Sequence, residues 1–285
     1  MNDLSEIKRR IAVIKQTRQI TGAMETISVA KMRKALERHD SYCDYLDILR
    51  SAVYGIAERY GAELGAYLKR NDDGKNIVVA ISSDKGMCGG FNHDIFRVAD
   101  GISDAHTTII PVGQMSAERY KNSAAADLSF SSVVAEPNYE NAKRIASAIF
   151  SAYRGDVCRV TLVYTRLVTR AVWQASSIQL LPLPLEMDGN VSGLGRMSVE
   201  PTPIEAFEKL LPIYLSAAVY DALLNSAAAE HSARRAAMAA ATKNADETIE
   251  RLSVEYNRAR QSAVTEQITE IISSSHTFGK QGDTQ

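Results

Sequence analysis

The sequence predicts an α/β protein in which a long antiparallel coiled coil of the N- and C-terminal helices carries a central α/β domain. Three observations lead there. Apolar residues recur at heptad spacing near both ends of the chain. No Gly or Pro interrupts 213–274, and no Pro occurs before Pro111. Between the ends, short β-branched runs alternate with amphipathic segments, the pattern of a mostly parallel sheet covered by helices.

At the N-terminus Asp3 is placed to cap a helix, with Glu6 closing a capping box. Leu4, Ile7, Ile11 and Ile14 follow as an a/d seam, which meets Arg18 and Thr21 and resumes out of phase at Ile20, Met24 and Ile27. The helix is expected to run from Asp3 to the region of Tyr54. In the centre, strands are expected over 76–83, 106–113, 128–135, 157–168 and 172–181. Helices are expected near 93–102, 116–121 and 138–153, and Pro182, Pro184 and 188–195 form the exit loop. Thr202 and Glu205 make a second capping box, with Pro203 at the first helical position. Pro212 is expected to break or kink that helix early. Beyond it lie roughly 60 residues, about 90 Å of helix. Ala245, Ile249, Leu252, Tyr256, Ala259 and Ala263 form its heptad seam. The organisation expected is a helix over 1–58, an α/β domain over 72–196 and a helix over 202–275.

A helix that long cannot bury its seam within its own domain, so the two terminal helices are each other's natural partners. Charge agrees: residues 1–40 carry nine basic and five acidic groups, while 204–275 carry seven and ten. Exposed pairs of this kind add only about 0–1 kcal/mol each. Matching Ile7 to Leu252, Ile11 to Ile249 and Ile14 to Ala245 sets paired numbers summing to about 259 and puts Met24 beside Arg234 and Arg235. Residues from about 259 to 274 then extend alone, and the face with Ala263, Val264, Ile268, Ile271 and Ile272 needs a cover from another chain.

Composition excludes several functions. With 33 Lys+Arg against 34 Asp+Glu the chain is neither a basic nucleic-acid coater nor an acidic tail protein. No stretch of about 18 residues is free of charge, so no transmembrane helix is expected. The opening MNDLSEIKRR lacks the apolar core of a secretory signal and is too acidic for an organelle transit peptide. Cys43, Cys88 and Cys158 are far apart, which suits a reducing compartment, and neither they nor the five histidines show metal-ligand spacing.

The segment 84–92, DKGMCGGFN, lies where phosphate loops sit, between a strand and a helix. It matches no phosphate-loop pattern, because Lys85 precedes the glycines; tight turns with positive φ account equally well for Gly86, Gly89 and Gly90. Cys88 has no His partner in sequence and reads as a buried, inert thiol. Lys31, Arg33, Lys34 and Arg38 read as a solvated helix face, without the aromatic interleaving of a nucleic-acid surface. Of 38 alanines, 13 fall within 217–245, which gives a stiff helix slim enough for close approach or a narrow space. No paired carboxylates or Ser/His/Asp arrangement supports catalysis by this chain.

Four segments resemble the γ subunit of bacterial F-type ATP synthases: RQITGAMETISVAKMRKA (18–35), SSDKGMCGGFN (82–92), SSIQLLPLP (176–184) and the stretch from Glu230 to Ile272. The resemblance implies a Rossmann-like central domain with no required nucleotide, and a rotor shaft with no active site or cofactor of its own. The implied partners are the α and β chains of the α3β3 hexamer, ε and the membrane c-ring. The implied place is peripheral, on the cytoplasmic side of the bacterial plasma membrane. Matched to the family, Met24, Lys31 and Arg33 lie where β levers push, and Arg234 lies near that level. Arg260, Thr265, Glu266, Gln267 and Thr269 match the upper contacts with β. Two departures stand out. Residues 265–271 read T-E-Q-I-T-E-I where the family commonly has T-Q-E-I-T-E-I, and Gly22 stands where relatives often have Lys. The plant-type dithiol insertion is absent, so thiol control of rotation is not expected.

Overall fold

Helix α1 (Asn2–Tyr60) is followed by α2 (Gly65–Leu68), β1 (Lys75–Ile81), α3 (Phe91–Ile102), β2 (Thr107–Val112) and α4 (Gln114–Arg119). Then come α5 (Tyr139–Tyr153), β3 (Val157–Thr169), β4 (Val172–Leu181) and α6 (Pro203–Gly279). The computed structural model describes residues 2–68, 74–122, 130–153, 157–169, 172–184 and 199–279. The expected exit loop at 188–195 lies outside the described residues. The chain divides into two compact units, one of residues 1–26 with 238–285 and one of residues 27–237.

In the first unit α1 and α6 run antiparallel. Arg18 pairs with Asp246, and the Thr21 and Thr242 hydroxyls lie 2.7 Å apart. These pairs sum to 264 and 263, so the register is about one helical turn from the expected 259, and Met24 falls level with Ala239 and Ala240. The seam does not change phase either. Ile20 and Ile27 are 61 and 56 % exposed, whereas Thr21 is buried, so of the three residues expected to resume the seam only Met24 is half-buried. On α6 the expected seam holds: Ala245 and Leu252 are buried, Ile249, Tyr256, Ala259 and Ala263 half-buried. From Val264 to Ile272 every residue is exposed. The exposed stretch among the described residues therefore starts at 264, five residues later than expected, as the shifted register requires. At the start, α1 begins at Asn2, ahead of the expected cap, and Glu6 pairs with Arg10 at 2.7 Å. The Asp3 side chain lies outside the described residues.

The second unit is built on a four-stranded sheet in the order β2-β1-β3-β4. β1 pairs parallel with β2 and β3, and β4 is an antiparallel edge strand on β3. The expected strand over 128–135 does not form among the described residues; Phe130 makes one bridge to Val112 and the chain turns at Ser132. Asn138 accepts from the Asn141 N–H at 2.7 Å and so caps α5, and Thr202 does the same for α6 through the Glu205 N–H at 3.2 Å.

The core of this unit takes its side chains from the two terminal helices as well as the sheet. Leu46, Leu49, Val53 and Ile56 of α1 and Phe207, Leu211, Leu215 and Val219 of α6 pack with Ile77, Val79, Leu162 and Ile149. Here too α1 and α6 run antiparallel, with Tyr42 edge-on to Tyr220 at 4.9 Å. Helix α6 runs unbroken through Pro212, and the Ser216 hydroxyl donates to the Pro212 carbonyl at 2.7 Å. The alanines now have a direct cause. Ala217, Ala218, Ala222, Ala227, Ala228, Ala229 and Ala233 are all at most 6 % exposed, because this stretch of α6 is covered on nearly every side. Ala229 and Ala233 face Val78, Phe91 and Ile95, while Ala227 and Ala228 meet Ala35. The slimness serves the chain's own core. A larger side chain there would cost about 1–3 kcal/mol of overpacking. An 18-residue window of α6 reaches mean hydropathy 1.2 with few charges, enough by composition to cross a membrane; 67 % of that window is buried in the chain.

Candidate functional site

The carboxyl end of β1 is the topological switch point of the sheet, since β2 and β3 lie on its opposite sides. Ligands of open α/β sheets bind at such points. Here the space is used by the chain itself. The Asp84 carboxylate accepts from the N–H groups of Gln114 at 3.1 Å, Val134 at 2.9 Å and Ala135 at 2.7 Å. Those are donors of the kind that would cradle an anionic ligand, and an internal anion satisfies them. The loop after Asp84 turns carbonyls towards a cation. Arg234 of α6 donates through Nη2 to Lys85 O at 2.9 Å and to Gly86 O at 3.2 Å. Positive φ occurs at Met87 and Gly89 but not at Gly86 or Gly90, so only one of the three glycines answers the expected demand. The glycine that the site cannot spare is Gly113, with φ +94 and packed against Ser82. Cys88 is 2 % exposed and burial raises its thiol pKa, in keeping with an inert role.

Arg234 is itself buried, 7 % exposed, and ion-paired to Glu230 through Nη1 at 2.7 Å. Burial pushes the Glu230 carboxyl above its usual range, while Arg234 pulls it down. The same guanidinium meets Nδ1 of His231 at 3.3 Å. Burial first, then the charges of Arg234 and Lys31, lower the His231 pKa to about 4, so the ring is neutral and able to accept that donor. Lys31, Lys34 and Arg38 are exposed along α1, and with Glu136, Pro137 and His231 they line a cleft of about 100 Å³. Arg33 points elsewhere and pairs with Glu37 at 2.8 Å. Lys31 and Arg234 thus bear on one cluster, joined through His231 and Glu230.

The remaining residues of interest belong to the first unit. Met24 is half-buried on α1. Arg260, Thr265, Glu266, Gln267 and Thr269 are exposed on the last turns of α6. Thr265 and Thr269 donate to the carbonyls of Gln261 and Thr265 at 2.9 and 2.8 Å. Arg258, Gln261, Thr265, Glu266 and Thr269 share one shallow face, to which Arg260 and Gln267 do not contribute.

A family model described as ATP synthase matches residues 3–277. The chain belongs to the ATP synthase gamma-chain family. It is 36 % identical to the ATP synthase gamma chain of Pelotomaculum thermopropionicum, over 95 % of this chain and 98 % of that one. It is 31 % identical to the sodium ion specific ATP synthase gamma chain of Acetobacterium woodii, over 95 % and 97 %. In fold it is similar to a chain of the Euglena gracilis mitochondrial ATP synthase OSCP/F1/c-ring structure, with TM-score 0.75 at 17 % identity and coverage of 100 % and 97 %. It is also similar to one of the Tetrahymena thermophila mitochondrial ATP synthase central stalk and c-ring, with TM-score 0.59 at 23 % identity and coverage of 78 % and 99 %. Membership of the gamma-chain family accords with the resemblance of the four sequence segments.

Two features of this gamma-family chain were not legible as a site in its sequence. One is the internal clamp of Arg234 on the 84–90 loop, which spans 148 residues. The other is the meeting of His39, Cys43 and Asp221, whose ligand atoms lie within 4.8 Å of one another. Spacing within one sequence segment does not show this group, because Asp221 arrives from α6 beside two residues of α1. The signal available was the four-residue step from His39 to Cys43, which puts both on one helix face.

Proposed function

We propose that this chain is the central rotor shaft of an F-type ATP synthase, coupling rotation of a membrane c-ring to ATP synthesis or hydrolysis in an α3β3 hexamer. The observation that carries the reading is the end of α6. Among the described residues internal burial stops at Ala263, and beyond it Val264 and Ile268 are 47 and 52 % exposed on a helix that continues to Gly279. A helix with an exposed apolar face calls for a sleeve from other chains. The α and β chains would supply it, while ε and the c-ring would hold the opposite end. Such a shaft works at the cytoplasmic side of a bacterial plasma membrane as a peripheral component, with chemistry confined to its partners. A chain without an active site fits the switch point described above, whose loop carbonyls and nearby N–H donors are engaged internally.

In this reading Met24, Lys31, Arg33, Arg260, Thr265, Glu266, Gln267 and Thr269 are contacts through which rotation is felt by β. Arg234 acts from inside, holding the 84–90 loop and α6 in one piece. The organisation is then a helix over 1–58, a central domain over 72–196 and a helix over 202–275, with both helices shared between the coil and the core. The test is a chain ending at Ala263, co-expressed with its α, β and ε chains and with the c-ring and the rest of the membrane sector. The truncated chain should fold with native helicity yet fail to couple ATP hydrolysis to ion pumping in membrane vesicles. Normal coupling would overturn the reading.

A further inference from the structure

We propose that His39, Cys43 and Asp221 form a site for a thiophilic divalent cation of the zinc class, which ties α1 to α6 within the second unit. His39 and Cys43 stand one turn apart on α1, and Asp221 faces them from α6. His39 Nε2 lies 3.2 Å from Asp221 Oδ1 and 3.6 Å from Cys43 Sγ. Bond lengths of about 2.0 Å to nitrogen or oxygen and about 2.3 Å to sulfur set tetrahedral edges of roughly 3.3 Å for N···O and 3.5 Å for N···S. The N···O separation falls on its edge, and the thiol lies close enough to reach the other by a small shift. The thiol also lies 3.5 Å from Nδ1, so it now rests beside the ring, and binding would draw it to the Nε2 side.

The surroundings suit a ligand set. Asp40 stands 3.5 Å from Nδ1, the ring nitrogen left over when Nε2 coordinates. An acidic partner there fixes the tautomer and raises ligand basicity. Asn225 donates to Asp221 Oδ2 at 3.3 Å, which leaves Oδ1 turned to the histidine. All three ligand residues are half-buried, enough to hold them and open enough to admit an ion with water in the fourth position. One imidazole, one thiolate and one carboxylate select zinc-like ions over magnesium or calcium. Binding releases the thiol proton and the Nε2 proton that His39 shares with Asp221, leaving the thiolate and the bare Nε2 on the metal and the remaining ring N–H at Nδ1 beside Asp40. The simpler arrangement is a His39–Asp221 ion pair with a bystander thiol, and the two differ in what Cys43 does.

The test uses the full chain, purified under reducing conditions and stripped with chelator. Titration with cobalt(II) should give one equivalent and a thiolate-to-cobalt charge-transfer band in the near ultraviolet. Zinc should displace the cobalt and raise the melting temperature. C43S should abolish the band and weaken zinc binding tenfold or more, and H39Q and D221N should weaken it similarly. C88S and C158S should leave both unchanged. Circular dichroism of each variant establishes that it is folded. Absence of stoichiometric binding to the native chain, or binding to C43S with native affinity, overturns the proposal.

Discussion

Arg234, deep in α6, donates its guanidinium to the backbone carbonyl of Lys85 at 2.9 Å while ion-pairing with Glu230 at 2.7 Å. One side chain thereby fixes a loop at the end of β1 to the helix on which it sits, and keeps a buried carboxylate compensated.

Removing only the cation should be costly. Arg234→Met leaves Glu230, 2 % exposed, with only the weaker charge of Lys31 for compensation, and should destabilise the chain by about 3–5 kcal/mol. Adding Glu230→Gln should recover much of that loss, because no charge then remains buried. Urea midpoints of the two variants check this; equal losses would mean that the lost loop bonds dominate.

Acid should act through His231. Its folded pKa of about 4 lies below the ordinary 6.5, so the unfolded chain binds the proton more readily between those values. Stability therefore falls as pH drops from about 6.5 to 4, by up to about 3 kcal/mol. Half-buried His39, whose bond to Asp221 raises its pKa, contributes in the opposite sense. The difference between the native chain and His231→Gln, followed by denaturation across pH 7 to 4.5, isolates the His231 part.

Two glycines should respond oppositely to the same change. At Gly113 a methyl group meets Ser82 Oγ at 2.9 Å and its backbone closer still, with φ at +94, so Gly113→Ala should cost at least about 2 kcal/mol. At Gly22, inside α1, nothing lies within 4 Å, so Gly22→Ala should stabilise by up to about 1 kcal/mol. Thermal melts of the two variants report the signs directly.

The coil register can be trapped covalently. With the Thr21 and Thr242 hydroxyls 2.7 Å apart, a chain carrying Thr21→Cys and Thr242→Cys should form an internal disulfide readily on oxidation. The pair Ile7→Cys and Leu252→Cys, one turn out of register, should not. Non-reducing mobility shifts distinguish them, and the reverse pattern would restore the register inferred from apolar matching.

How far the sequence could be read depended on whether a residue's partner was local. The heptad on α6 from Ala245 to Ala263, the Thr202 cap and four of the five strands were legible because spacing and capping are short-range signals. The phase of α1 was not, since Thr21 occupies a seam position while the more apolar Ile20 points outward. Matching apolar residues thus misplaced the register, which the Arg18–Asp246 and Thr21–Thr242 pairs set. Pro212 carries the local signal of a breaker, yet tertiary burial of Leu211 and Leu215 holds the helix through it. The clamp and the His39–Cys43–Asp221 group rest on contacts across more than 140 residues, which no local pattern encodes.

The core of the second unit draws on Leu46 and Val53 from near the chain's start and on Phe207 to Leu223 from beyond the last strand. The sheet therefore cannot bury both its faces until the first half of α6 has been made. Ribosomal synthesis must pass Arg234 before the loop after β1 is clamped and Ala229 and Ala233 close over Phe91. Until then the nascent strands present apolar surface that only a distant, late segment can cover. Closure of this core therefore waits on a segment made after the whole sheet.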